Sequence, residues 1–146
     1  MKRKIFIVFL SVFAWLGCEK TEVDAPEIAS GIVGYWEESQ YEESTNGNKV
    51  ILYQRIDTFN ENRGGIRFLN DMTLIERKNA GWCATPPIAY DNFNGKYQWE
   101  DNGTIIIDVA YWGGMEQRTW KIINLTTTIL KIEILSQEIM SGVPEI

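Results

Sequence analysis

The stretch "TIIIDVAYW", residues 104–112, decides the fold because its side chains alternate in character. Every second position from Ile105 to Tyr111 is apolar, whereas the positions between them include Asp108. Side chains two residues apart on a β-strand share a face, and a strand with one apolar and one charged face buries the apolar one. We therefore predict a strand whose odd-numbered side chains point into a core.

Runs of the same kind precede and follow this stretch. Trp120 and Ile122 flank Lys121, and Tyr97 and Trp99 alternate with polar or charged neighbours. Turn signals rich in Gly, Asn, Asp and Thr separate the runs, and several are short enough to make consecutive strands antiparallel. The candidate strands are residues 32–41, 50–57, 65–69, 73–78, 95–100, 104–112, 116–124 and 129–136.

The arrangement of these runs predicts the fold class. No segment between residues 31 and 136 carries a long apolar stripe at the helical period, so the domain is predicted to be all-β. A sandwich would bury one face of each strand, as would a barrel. Closure is favoured because a closed sheet leaves no exposed edge. We predict an antiparallel up-and-down barrel of about eight strands.

The N-terminus has the features of a secretory signal. Residues 2–4 are basic, residues 5–16 form an apolar run, and Cys18 follows Gly17. A run of about 12 apolar residues is too short for a bilayer core that needs roughly 20. The pattern resembles a bacterial lipoprotein signal, in which cleavage precedes the cysteine and the cysteine is acylated. We expect removal of residues 1–17 and lipid on Cys18; an ordinary signal peptide is the alternative.

The mature chain would have 129 residues and a net charge of −9. Its length suits one domain, and its charge argues against nucleic acid as a partner. We expect an acidic flexible tether at 18–30, the barrel at 31–136 and a C-terminal tail at 137–146. The acidic residues after Cys18 are similar to signals that send Bacteroidetes lipoproteins to the outer membrane surface, although solubility alone would explain them. The expected location is the envelope, at the periplasmic or surface face of the outer membrane.

The start of the domain carries a family signature. The run "GIVGYWEES", residues 31–39, holds Gly34 and Trp36 in the Gly-x-Trp pattern that opens the first strand of lipocalins. Residues 31–136 resemble the lipocalin-like lipoproteins of Bacteroidetes. The resemblance implies a calycin-type barrel with Trp36 as a core plug at its closed end, under a basic side chain from the last strand. The nearest candidate, Lys131, lies on the face predicted to point outward.

Several kinds of chemistry have no support in the sequence. The chain has no histidine, which removes Ser-His and Cys-His pairs and the commonest metal ligand. Cys83 has no obvious activating neighbour, so we predict a structural cysteine. Adjacent carboxylates such as Glu37 and Glu38 point to opposite faces of a strand and cannot share a site. We expect no enzyme activity, no metal site and no cofactor.

Ligand binding is the function that the resemblance implies. A small barrel can enclose one ligand, and aromatic walls suit a small apolar or amphipathic molecule. The predicted ligand-binding residues are the wall residues Tyr97, Trp99, Tyr111 and Trp120, the inward polar Gln54, and Trp82 as part of a lid on the loop 79–92. Alternatively, the aromatic rings fill the core completely.

The second functional hypothesis is a protein-interaction module or accessory subunit of an envelope complex. It predicts a filled barrel and an exposed apolar patch, built from Tyr35, Trp112 and the segment "IMSGVP", residues 139–144. A cavity of roughly 300 Å³ or more would favour the ligand binder instead.

Overall fold

The computed structural model describes residues 30–81 and 88–140. Its strands form one closed antiparallel barrel, which confirms the predicted fold class. The bounds are β1 (Gly34–Glu43), β2 (Lys49–Ile56), β3 (Gly65–Phe68), β4 (Thr73–Asn79), β5 (Tyr90–Glu100), β6 (Thr104–Tyr111), β7 (Gly114–Leu125) and β8 (Ile129–Met140).

The strands close in the order β1-β2-β8-β7-β6-β5-β4-β3. Strands β3 to β8 form an uninterrupted meander, whereas β1 lies between β2 and β3. The connection 57–64 therefore crosses the outer face of β1. There Phe59 packs edge-on against Tyr35 with 5.1 Å between ring centroids, and Arg63 pairs with Glu37 at 2.6 Å. The barrel is closed by pairing between β2 and β8.

Two strands, β5 and β8, extend beyond the predicted bounds by four residues or more. Strand β5 starts at Tyr90, because its first residues pair with the end of β4. Strand β8 continues to Met140, where it pairs with Met115 of β7. The expected tail boundary after residue 136 is therefore wrong, since the polar residues there are held by their strand partner although they do not alternate in character.

The middle of the barrel is a packed core. Ile105, Ile107 and Val109 are fully buried, as the alternation in residues 104–112 predicts. The ring of Trp120 lies 5.8 Å from that of Tyr53 and is also fully buried. Side chains from all parts of the sheet interdigitate in this layer, which gives the domain the dense interior expected of a folded protein.

One end of the barrel, here called the closed end, is covered by Trp36. Its indole Nε1 donates to the carbonyl of Ile32 at 2.7 Å, and the Arg55 guanidinium lies 4.2 Å from its ring centroid. Arg55 also donates to the carbonyls of Val33, at 2.8 Å, and Gly31, at 2.6 Å. The basic side chain over Trp36 therefore comes from β2 and not from the last strand.

Two neighbouring observations explain this arrangement. Lys131 of β8 points outward and pairs with Glu42 at 2.9 Å, so it is not available to Trp36. Gly34 has φ +134°, and a Cβ there would lie 2.4 Å from Arg55 Nη1. The glycine of the Gly-x-Trp pattern thus leaves room for the arginine that covers the tryptophan.

We expect Arg55→Met to lower the free energy of unfolding by about 2–4 kcal/mol, because two charge-assisted hydrogen bonds and a cation–π contact are lost. Lys131→Met is the control, and the loss of its exposed ion pair costs at most about 1 kcal/mol. Urea unfolding measures both. Equal destabilisation by the two variants would contradict the role given to Arg55.

Candidate functional site

The predicted aromatic walls point inward but pack against one another. Tyr97 and Trp120 are buried, and Trp99 packs against the core from its edge. Tyr97 makes an edge-on contact with Phe68 at 5.0 Å between centroids. These rings therefore pack against one another in the middle of the barrel. Tyr111 is half-buried on the inward face of β6, near the end of the barrel that lies opposite Trp36.

The prediction that Gln54 points inward is wrong. Gln54 is exposed, because it lies between the inward-pointing Tyr53 and Arg55 and strand side chains alternate. Trp82, Cys83 and Cys18 lie outside the described residues, so the predicted lid, the structural cysteine and the lipid attachment stay predictions.

Charged side chains, not Gln54, supply the inward polar groups. They lie beyond the aromatic core, toward the end opposite Trp36, here called the open end. Arg118 Nη2 of β7 lies 2.7 Å from Glu76 Oε2 of β4, and Lys78 Nζ lies 2.8 Å from the same oxygen. Because β5 and β6 separate β4 from β7, the Arg118–Glu76 pair bridges the lumen. The members of this ion network are Glu38, Glu76, Lys78, Glu116 and Arg118.

Burial and neighbouring charges shift the pKa values of three members of the ion network. Burial raises the pKa of Glu76, but the charges of Arg118 and Lys78 outweigh it and hold that pKa below its usual value. Burial lowers the pKa of Arg118, and the charges of Glu76 and Glu116 reverse this effect and raise it. The pKa of Glu38 is raised by burial and by the charge of Glu76. Glu76 and Arg118 are therefore ionised together and stabilise one another.

Sequence reasoning missed the ion network because charges were assigned to the solvent. A signal was present: Leu74, Glu76 and Lys78 share one face of β4, and Leu74 is fully buried on that face. Arg118 likewise shares a face of β7 with the buried Trp120. Extending each apolar face by two residues places Glu76 and Arg118 inside, and a further two residues on β4 reach Lys78.

The outer wall of the barrel has a cavity of about 720 Å³, here called the lateral groove, across β4 to β8. Apolar side chains and polar side chains both line it. Asp108 of β6 is half-buried there and accepts a hydrogen bond from Gln117 Nε2 at 2.8 Å. Lys96 is the cross-strand neighbour of Asp108 on β5. The lining includes Ile75, Met115 and Met140 among the apolar residues and Lys96, Asp108 and Gln117 among the polar ones.

Gly95 lets β5 lie close to both of its neighbouring strands beside the groove. A Cβ at Gly95 would lie 2.5 Å from the Asp108 carbonyl oxygen and 2.9 Å from Leu74 Cδ1, so only glycine allows β5 to approach both neighbours this closely. Pairing between β5 and β6 ends at Gly95 and Val109, while the earlier residues of β5 pair with β4. The groove lies where β5 and β6 separate.

A second cavity, of about 660 Å³, lies at the closed end beside Arg55 and the β7–β8 turn. The polar part of this cavity includes the Arg55 side chain, which already covers Trp36. The lateral groove is therefore the stronger candidate for a binding site.

Comparison with protein-family models, curated proteins and solved structures finds no match for this chain. Among residues 30–81 and 88–140, no group of three or more His, Cys, Asp or Glu side chains is arranged to hold a metal ion. Within those residues, no helix has the length and apolar character needed to cross a bilayer.

Proposed function

We propose that this chain is a non-enzymatic, lipid-anchored binding protein of the cell envelope that holds a small amphipathic molecule in the lateral groove. The observation that carries the proposal is the groove itself. Its volume of about 720 Å³ falls in the range of roughly 300–1,000 Å³ that is usual for small-molecule sites. This proposal keeps the ligand class expected from the sequence but moves the site from the lumen to the outer wall.

The chemistry of the groove suits a molecule with an apolar body and a polar end. Met115 and Met140 offer flexible, polarisable surface that adapts to different shapes. Asp108 and Lys96 lie beside them and provide an acceptor and a cation. The polar end of the ligand would meet Asp108 and Lys96, and its apolar part would cover the methionines.

The proposed anchor is compatible with this site. Lipid on Cys18 would be followed by a tether of about 12 residues, which spans at most roughly 40 Å when fully extended. Strand β1 begins at the closed end, so the chain enters the barrel there. The lateral groove lies on the side wall, where a molecule in the envelope space can reach it.

We expect the domain purified from its native envelope to carry a small molecule that survives gentle ionisation and leaves on denaturation. Met115→Lys should reduce the bound fraction by at least about tenfold, because it places a charge on the apolar surface of the groove. Met72→Lys is the matched control, since Met72 lies on the β3–β4 turn outside the groove. Bare polypeptide mass for the unmodified domain would contradict the proposal, as would equal loss of the ligand in both variants.

A protein-interaction module is the second candidate, and exposed apolar side chains at the open end favour it. Ile139, Trp112 and Tyr41 are each more than half exposed and lie near that end. Tyr35, which the sequence placed in the patch, does not belong to it, because Phe59 and the Arg67 guanidinium cover its ring. A domain that is empty on purification but captures a defined envelope protein would favour this candidate.

A further inference from the structure

Strand β8 has a hydrogen-bonded neighbour along both of its edges only in its first half. Residues 129–133 pair with β2, whereas residues 134–140 pair with β7 alone within the described parts of the chain. A bulge places Leu135 between the partners of Thr119 and Trp120, and bulges bend a strand. The second half of β8 therefore leaves the barrel wall with one edge open.

The open edge has the properties of a pairing surface. An uncovered edge presents unpaired N–H and C=O groups, and proteins usually protect such edges with lysine, proline or a short strand. Residues 134–140 read "ILSQEIM" and contain neither lysine nor proline. Leu135 and Met140 are each 44% exposed, and Ile139 is 65% exposed. Glu138 is the only charged residue in this segment.

We propose that the open edge of β8 pairs antiparallel with the same edge of a second copy of this chain, about a two-fold axis at Gln137. A two-fold axis at that residue makes the edge complementary to itself. It places Ser136 opposite Glu138, Leu135 opposite Ile139, and Ile134 opposite Met140. Each carboxylate then faces a hydroxyl, and the exposed Leu135 of each copy faces the exposed Ile139 of the other.

Neighbouring registers fit less well, which is why the axis is placed at Gln137. An axis at Glu138 would set the two carboxylates directly opposite one another, and like charges in that position destabilise a strand pair. An axis between Ser136 and Gln137 would set Glu138 opposite Leu135. Of these three registers, the one at Gln137 both separates the carboxylates and sets Leu135 opposite Ile139.

A two-fold pair would also leave neither copy with an unpaired edge in this segment. The same segment serves both copies, so pairing satisfies both edges at once and ends with a dimer instead of an open fibre. The proposal does not depend on ligand binding in the lateral groove, although Met140 belongs to both regions. Groove and dimer can therefore be tested separately.

The test uses the chain from residue 18 onward with Cys18→Ser and Cys83→Ser, so that no native thiol remains. Gln137→Cys in this background should give a disulfide-linked dimer as the main species under mild oxidation, because the two Cβ atoms would lie within about 4.5–5.5 Å. Leu135→Cys and Ile139→Cys should each stay largely monomeric alone and should cross-link when mixed. Asn102→Cys, exposed at the other end of the barrel, controls for random collision.

Sedimentation of the cysteine-free chain provides the second readout. We expect a dimer whose mass halves in Ile139→Lys, since Ile139 is exposed and a lysine on a strand edge opposes pairing with a second strand. The proposal is overturned if the cysteine-free chain sediments as a monomer at every concentration, or if Asn102→Cys cross-links as well as Gln137→Cys. A monomer that instead accepts a strand from another protein also overturns it. Retention of the ligand in the groove under any of these outcomes leaves the proposed function standing.

Discussion

Arg118→Met is expected to lower the free energy of unfolding by about 3 kcal/mol at neutral pH. The substitution leaves the buried Glu76 carboxylate without its lumen-bridging partner, and removing one partner of a buried ion pair costs about 3–5 kcal/mol. We expect the lower end of that range because Lys78 remains 2.8 Å from the same carboxylate oxygen. Urea unfolding at neutral pH measures the effect.

The control for this prediction is Arg63→Met. Arg63 pairs with Glu37 at a similar distance, but its side chain is 52% exposed, so its loss should cost at most about 1 kcal/mol. The double variant Arg118→Met/Glu76→Leu should recover most of the lost stability, because it removes both charges of the pair and leaves Lys78 paired with Glu116 at 3.5 Å. A double variant less stable than Arg118→Met would contradict this explanation.

The same pair should make stability depend on pH in a defined direction. The pKa of Glu76 in the folded protein lies below its ordinary value of 4.5. A depressed carboxyl pKa contributes stability that is present above the unfolded pKa and lost as pH falls through the folded one. The stability difference between the unmodified chain and Arg118→Met should therefore be largest above pH 5 and shrink in acid. A constant difference across this range would show that Glu76 is not the affected group.

Trp120→Ala is expected to lower the free energy of unfolding by about 3–5 kcal/mol, which is the usual cost of truncating a fully buried large aromatic side chain. Trp120 is fully buried between Tyr53 and Phe68 at the centre of the core. Ile123→Ala on the same strand is the control, because Ile123 is half exposed and its loss should cost less than about 1 kcal/mol.

These Trp120 variants also test whether the barrel is filled. If the lumen held an open ligand space around Trp120, truncation would remove few contacts and the two variants would have similar stability. Thermal or urea unfolding of the ligand-free domain distinguishes the two cases.

The sequence predicted the strands well because alternation is a local property. The apolar faces of β6 and β7 followed directly from residues such as Ile105 and Trp120. The order of the first strands was not predictable in this way. The position of β1 between β2 and β3 depends on the path of residues 57–64, which the contact of Phe59 with Tyr35 helps to fix.

The site was predicted less well because it depends on register between distant strands. The sequence predicts Gln54 as the inward polar group, but its neighbours Tyr53 and Arg55 take the inward positions of β2. The lateral groove brings Met115 of β7 near Ile75 of β4, and no local pattern connects these residues. The closest sequence signal was Gly95, the residue at which the pairing of β5 with β6 ends.

The central proposal, ligand binding in the lateral groove and not in the lumen, can be tested with methionine methyl resonances. The chain from Cys18 onward contains only Met72, Met115 and Met140, of which the last two line the groove. On addition of a lipid extract of the native envelope, we predict that the Met115 and Met140 methyl signals shift while that of Met72 and the indole signal of Trp120 do not. Shifts at the Trp120 indole with unchanged Met115 and Met140 signals would place the ligand in the lumen and contradict the proposal.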